Sequence, residues 1–178
     1  MIVKEKIDFV DKHKIGSTLD YLKTVTKLRK KCEVPNDLLY VGIEDFVLQN
    51  GRQYENVKIV PKIKRGEPGH CFMNAYNLAF NNHRRFTYVE GFAISIIPIH
   101  HAWCVDKKGI VYDPTWYDDG VDYFGIPLDV IYVCQVNIRR KYYGSAIDNF
   151  EEHFPLLTGK HQLVKKANMF EIIESKGE

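Results

Sequence analysis

The chain has 178 residues, 45% of them hydrophobic and 13% aromatic, with a formal net charge of +2. That length and apolar share predict one domain over 1–178 with a real core. The near balance of charge gives no electrostatic reason to bind nucleic acid or a membrane, and no regular basic-plus-aromatic pattern suggests base stacking.

Lys58 to Arg65 and Arg139-Arg140-Lys141 read as solvated surface. The four cysteines, at 32, 71, 104 and 134, form no CxxC pair, so neither a zinc knuckle nor a thioredoxin-like motif is expected. The start, Met1 to Lys6, has no apolar h-region, and no stretch approaches the length of a membrane span. Free thiols and no leader predict a cytoplasmic setting. No cofactor is expected, and the sequence assigns no oligomeric state.

In chain order, Ser17-Thr18-Leu19-Asp20 has the character of a capping box. Leu19, Leu22, Val25 and Leu28 follow at helical spacing, predicting a helix over 18–31 that stops before Pro35. Asn36 or Asp37 can cap a second helix, with Leu38, Leu39, Val41, Phe46 and Val47 inward and Gly51 at its end. Val57 to Val60 is a short strand candidate. Residues 64–69 form a breaker-rich loop. From Cys71 the pattern is helical, with Phe72, Ala75, Tyr76, Ala79 and Phe80 on one face, ending at Asn81-Asn82.

The period then changes. Phe86 to Ile97 predicts a long strand, bulged or bent at Gly91. His101–Asp106 and Ile110–Asp113 predict a hairpin around Lys107-Lys108-Gly109. Tyr117 to Leu128 reads as a loop, whose Asp118, Asp119 and Asp122 would border a cleft and favour a polar or cationic partner. Ile131 to Ile138 reads as a strand, Ser145 starts a short helix before Pro155, and Gln162 to Glu174 reads as a last helix. Helices first, then sequential strands joined by hairpins, predict an α+β fold with a helical N-terminal part and an antiparallel sheet.

Three residues carry chemistry. Cys71 in the first turn of a helix would feel unpaired N–H groups that favour a thiolate, the reactive form. His101 on a strand can take the thiol proton and return it; His100 beside it must face the other way. If Gly109 takes the left-handed position of a three-residue turn, Trp103 pairs with Asp113. Asp113 then lies diagonal to His101, roughly 7–8 Å away between backbones, within side-chain reach. A two-residue turn would point the acid away. An acid so placed fixes the ring's tautomer and stabilises its charged form.

Gly69, Cys71 and Ala75, then His101-Ala102-Trp103, then Asp113-Pro114-Thr115 together resemble the core signature of the transglutaminase-like superfamily, within the broader papain-like group of cysteine enzymes. Tyr88 to Ala93 resembles the strand that precedes the histidine. The resemblance covers residues 69 to 116. It implies Cys71 as nucleophile, His101 as base, Asp113 as orienter, and a nucleophile helix packed on an antiparallel sheet. It also implies a thioester formed on an amide or other acyl donor of a protein, peptide or small molecule, followed by hydrolysis, deamidation or transamidation. The chain lacks the β-domains of the large calcium-dependent members, so no calcium is expected.

For the oxyanion the Cys71 N–H is the default donor, with Gln49, Gln53 and Tyr54 as side-chain candidates. His70, Trp103 and Trp116 are candidates to line the cleft, and Cys104 and Cys134 read as core. Two other functions compete: a binding or inhibitory module on a degenerate scaffold, and a metal site using the three residues with His70 or His100. The spacing fits no zinc pattern, so no metal is assigned.

Overall fold

Ser17 opens the first helix, α1 (Thr18–Arg29): its hydroxyl accepts from the Asp20 N–H at 3.1 Å while the Asp20 carboxylate accepts from the Ser17 N–H at 3.2 Å. That is the reciprocal cap the sequence predicts. The computed structural model describes residues 16–32, 35, 37–54, 63–116, 122–166 and 169–174. The strand candidate at Val57–Val60 and the acids Asp118 and Asp119 lie outside them.

The second helix, α2 (Ile43–Asn50), starts later than Asn36 or Asp37. Gly42 is its N-cap rather than an interior residue, and Gly51 closes it as expected. Then come β1 (Arg52–Tyr54), α3 (Cys71–Asn81), β2 (Thr87–Ile94), β3 (Pro98–Val105), β4 (Val111–Tyr112), β5 (Asp122–Leu128), α4 (Val130–Arg140), a 3-10 turn at Phe150–Glu152, β6 (His161–Lys166) and β7 (Met169–Glu174).

The described strands form one sheet in the order β4-β3-β2-β5-β7-β6, with β1 also on β5. Pairing is antiparallel except between β5 and β7, which run parallel at Leu128 and Phe170. The fold is thus α+β. Alternation along the strands gives the sheet two different faces. Tyr88, Phe92, Ala102, Cys104, Phe124 and Ile126 face one core with residues of all four helices. Val89, Ala93, Trp103, Val105, Val111 and Tyr123 face a smaller core, with Tyr54 and Trp116.

Four assignments of element type change. The run from Ile131 to Ile138 is helix α4, not a strand: Tyr132, Val133, Val136 and Asn137 are buried at helical spacing, Asp129 caps the start by accepting from the Ile131 N–H, and Arg139 and Arg140 fill the last turn. Its β-branched content gave the strand reading, and packing overrides that weak preference. The described residues of Gln162–Glu174 form the antiparallel pair β6–β7 rather than a helix, with β7 on the edge of β5. The second half of the Tyr117–Leu128 "loop" is β5, which joins β2 to β1 and β7. The helix expected from Ser145 reduces to the single 3-10 turn.

Gly91 makes no bulge. The β2–β3 and β2–β5 ladders run through it without a break, setting Gly91 opposite both His101 and Gly125. The reason for glycine is close approach. A Cβ on Gly91 would lie 2.3 Å from the Phe124 carbonyl oxygen, and one on Gly125 would lie 2.6 Å from Cη2 of Trp103. Gly125 leaves room for the Trp103 indole, which is fully buried beside His101, and Gly91 leaves room for the β5 backbone.

Candidate active site

The turn from β3 to β4 decides where the acid goes. Gly109 takes φ +77°, its N–H donates to the Asp106 carbonyl at 2.9 Å, and the Asp106 N–H donates to the Ile110 carbonyl at 3.1 Å. The Asp106 carboxylate also accepts from the N–H groups of Lys108 and Ile110. This connection sets Val105 opposite Val111 and Cys104 opposite Tyr112. One further step brings Asp113 level with Trp103, on the face of His101. There the imidazole Nε2 meets Asp113 Oδ2 at 2.6 Å, with both side chains buried.

The carboxylate is held from four directions. Oδ2 also accepts from the Tyr123 hydroxyl at 3.0 Å, and Oδ1 accepts from the N–H groups of Thr115 at 2.8 Å and Trp116 at 3.1 Å. Burial pushes this carboxyl up. The bond to His101, the charge of that ring and the two N–H groups outweigh burial and hold it below the ordinary carboxylate range.

His101 shows the complement. Burial opposes its charged form, but the bond to Asp113, the Cys71 thiol and the charges of both raise it from 6.5 to about 9. With Nε2 committed to Asp113, Nδ1 is the nitrogen left for the thiol. It is buried and no hydrogen bond to it is closed. Trp116 covers the ring in a stack, centroids 4.1 Å apart and planes 14° apart. Trp103 lies farther off at 6.3 Å, with Tyr54 edge-on against it at 5.8 Å.

Cys71 is the first residue of α3, and His70 is its N-cap. The first intrahelical bond runs from the Asn74 N–H to the His70 carbonyl at 2.9 Å. The N–H groups of Cys71, Phe72 and Met73 therefore have no acceptor within the helix, and the positive end of the helix dipole falls at the sulfur. The preceding loop is tied to the acid's loop. The Gly66 N–H donates to the Pro114 carbonyl at 2.8 Å, and Asn74 Nδ2 donates to the Glu67 carbonyl at 2.9 Å and to Thr115 Oγ1 at 3.1 Å. The Arg65 guanidinium donates to the Asp113 carbonyl.

Several candidates do not join this group. Gln49 turns back to Asp45 on its own helix at 2.9 Å. Gln53 donates to Asp122 Oδ1 from a strand on the far side of β5. Both amides are engaged away from Cys71 and His101. Asp122 borders no open charge site, because its other carboxylate oxygen accepts from the Thr18 N–H at 2.5 Å. Tyr54 is buried under Trp103 with its hydroxyl accepting from Arg52 Nε at 3.1 Å. His70 is exposed and its Nδ1 contacts the Pro68 carbonyl at 3.2 Å. His100 faces Glu90 on the opposite side of the sheet, at 3.2 Å. Among the described residues no group of three or more His, Cys, Asp or Glu side chains is arranged to hold a metal ion.

Cys104 is fully buried and donates to the Ala75 carbonyl at 3.2 Å, with burial pushing its thiol up. Cys134 is half-buried on α4, and Cys32 is exposed. Tyr123 is the residue that sequence reasoning missed, because residues 117–128 read as one loop. An alternating Tyr123, Gly125, Pro127 against Phe124, Ile126, Leu128 was the available signal. No protein-family model, no curated protein and no solved structure matches the chain.

Proposed function

We propose that this chain is a thiol-dependent acyl-transfer enzyme with a transglutaminase-like, papain-like core, acting on an amide or other acyl group of a protein, peptide or small molecule in the cytoplasm. The supporting observation is the buried 2.6 Å bond between His101 and Asp113, together with a ring nitrogen left unbonded beside a thiol at a helix start. In this reading His101 Nδ1 takes the proton of Cys71, and the sulfur attacks the acyl carbon. The oxyanion so formed is met by the free N–H groups at the start of α3. The intermediate collapses, the leaving amine takes the proton from Nδ1, and an acyl thioester remains on Cys71. Water or a second amine gives a proton to Nδ1 and attacks the thioester; the thiolate leaves and recovers that proton. Asp113 stays ionised and supports the charged ring.

The test compares thiols within one molecule. Iodoacetamide should label the mostly buried Cys71 at least about tenfold faster than the exposed Cys32, because reactivity follows thiolate character. His101→Ala should remove most of that advantage. Equal rates at the two cysteines would defeat the reading. Intact mass after incubation with cell extract should then show an acyl adduct on Cys71 in the wild type and not in His101→Ala.

A further inference from the structure

The helix-side face of β3 carries a second histidine–acid contact that the proposed chemistry does not use. Glu90 is fully buried. Its carboxylate accepts from the Tyr88 hydroxyl at 3.0 Å, from the Ser145 hydroxyl, and from the N–H groups of Ala146 at 2.9 Å and Ile147 at 3.1 Å. His100 Nε2 stands 3.2 Å from the same carboxylate. An ionised group is costly to bury, and the partners of this one come from three separate segments. It binds the 145–147 segment and stands against the ring of His100 at ion-pair distance, without hydrogen-bond geometry.

That ring is the centre of an aromatic run beside the nucleophile. Phe72, the residue after Cys71, meets His100 edge-on at 5.3 Å. Phe92 stacks on His100 at 5.2 Å with planes 19° apart, and Tyr21 meets Phe92 at 5.5 Å. Phe92 is the buried floor, while Tyr21, Phe72 and His100 are half-buried and keep exposed surface. Phe72 follows Cys71 in the first turn of α3, so the run of rings begins one residue from the thiol.

We infer that Tyr21, Phe72, Phe92 and His100 form a subsite that receives a planar aromatic group of the substrate next to Cys71, with Glu90 as the positioning residue that holds His100. The inference rests on the thiol reading above and names its substrate class. Edges and faces of rings already arranged at stacking distances favour another planar ring over an aliphatic group of the same size.

The experiment uses three alkylating reagents on the full chain: iodoacetamide, N-phenyl iodoacetamide and N-cyclohexyl iodoacetamide. Rates at Cys71 and Cys32 are read from the same sample. The phenyl-to-plain ratio at Cys71 should exceed that at Cys32 by about tenfold, the size of one or two aromatic contacts, and the cyclohexyl ratio should fall well below it. Phe72→Ala should bring the ratio at Cys71 down toward that of Cys32. Because each ratio is taken within one variant, a change in thiol reactivity cancels. Glu90→Gln and His100→Ala should each lower the ratio severalfold, and the double variant no further.

A ratio equal to that of Cys32, or unchanged in Phe72→Ala, would overturn the subsite. Equal phenyl and cyclohexyl ratios would overturn its planar class. Additive losses in the double variant would remove the positioning role of Glu90. Should Glu90→Gln fail to fold, the Phe72→Ala and cyclohexyl results still decide the subsite. Plain iodoacetamide labelling Cys71 no faster than Cys32 would be the separate failure of the thiol reading.

Discussion

Tyr123 shares an oxygen of Asp113 with His101, and this makes its hydroxyl a sensitive probe of the pair. Tyr123→Phe keeps the ring, which packs against Trp103 at 5.0 Å, and removes only the bond. The expected loss is about 1 kcal/mol of stability in a urea titration. Losing that donor should also leave the carboxylate less well held and shift the His101 titration, observable by NMR; an unmoved titration would mean that Tyr123 is packing alone. Protonation of His101 itself couples to folding. The ring titrates near 6.5 when free and at about 9 in the fold, so its stabilising contribution is complete below 6.5 and is lost as pH rises through about 9. Asp113 has the opposite sign: its contribution is present above the ordinary value of 3.8 and is lost as pH falls through its lowered folded value. Denaturant midpoints should therefore fall between pH 6.5 and 9 by an amount bounded at about 3 kcal/mol, and His101→Gln should flatten that limb. A midpoint that stays constant across this range in the wild type would contradict the raised value.

Among the elements, those that place the site were the more legible. Ser17 and Asp20 announced α1, the breakers at Gly66, Pro68 and Gly69 announced the start of α3, and Gly109 announced the turn that orients Asp113. These are local signals, written in residues whose backbone preferences or caps leave few alternatives. α4 and the β6–β7 pair are not legible locally, because their identity is set by partners distant in sequence. A β-branched run such as Ile131 to Ile138 suits a strand until a helical face is buried against α3. Gly91 predicts a bulge or bend because sequence cannot show that Gly125 will lie opposite it. Gly91→Ala should cost about 1–3 kcal/mol, the range for overpacking a tight core, since the new methyl meets main chain that cannot rotate away. A thermal melt within error of the wild type would show that the strands can separate there without cost.

Across the molecule, one sheet divides two environments, and each contains a histidine with its acid. Glu90 is the tie on the helix side: through Ser145, Ala146 and Ile147 it joins the region after α4 to the centre of the sheet. Its carboxyl is held below the ordinary range despite burial, chiefly by His100 and Ser145. Glu90→Gln should therefore destabilise the whole domain by about 1–3 kcal/mol, the cost of leaving buried hydrogen-bond partners unmatched. Hydrogen exchange should show the 145–147 amides losing protection first. The β3–β4 turn has a consequence of its own. Neighbouring positions on a strand alternate sides, so the number of residues between Asp106 and Ile110 acts as an address for everything that follows. A one-codon deletion there would deliver the Asp113 carboxylate to the compartment of Cys104 and hand the compartment of His101 a tyrosine instead, leaving a chain with every proposed catalytic residue in its sequence and the acid on the wrong side of the wall.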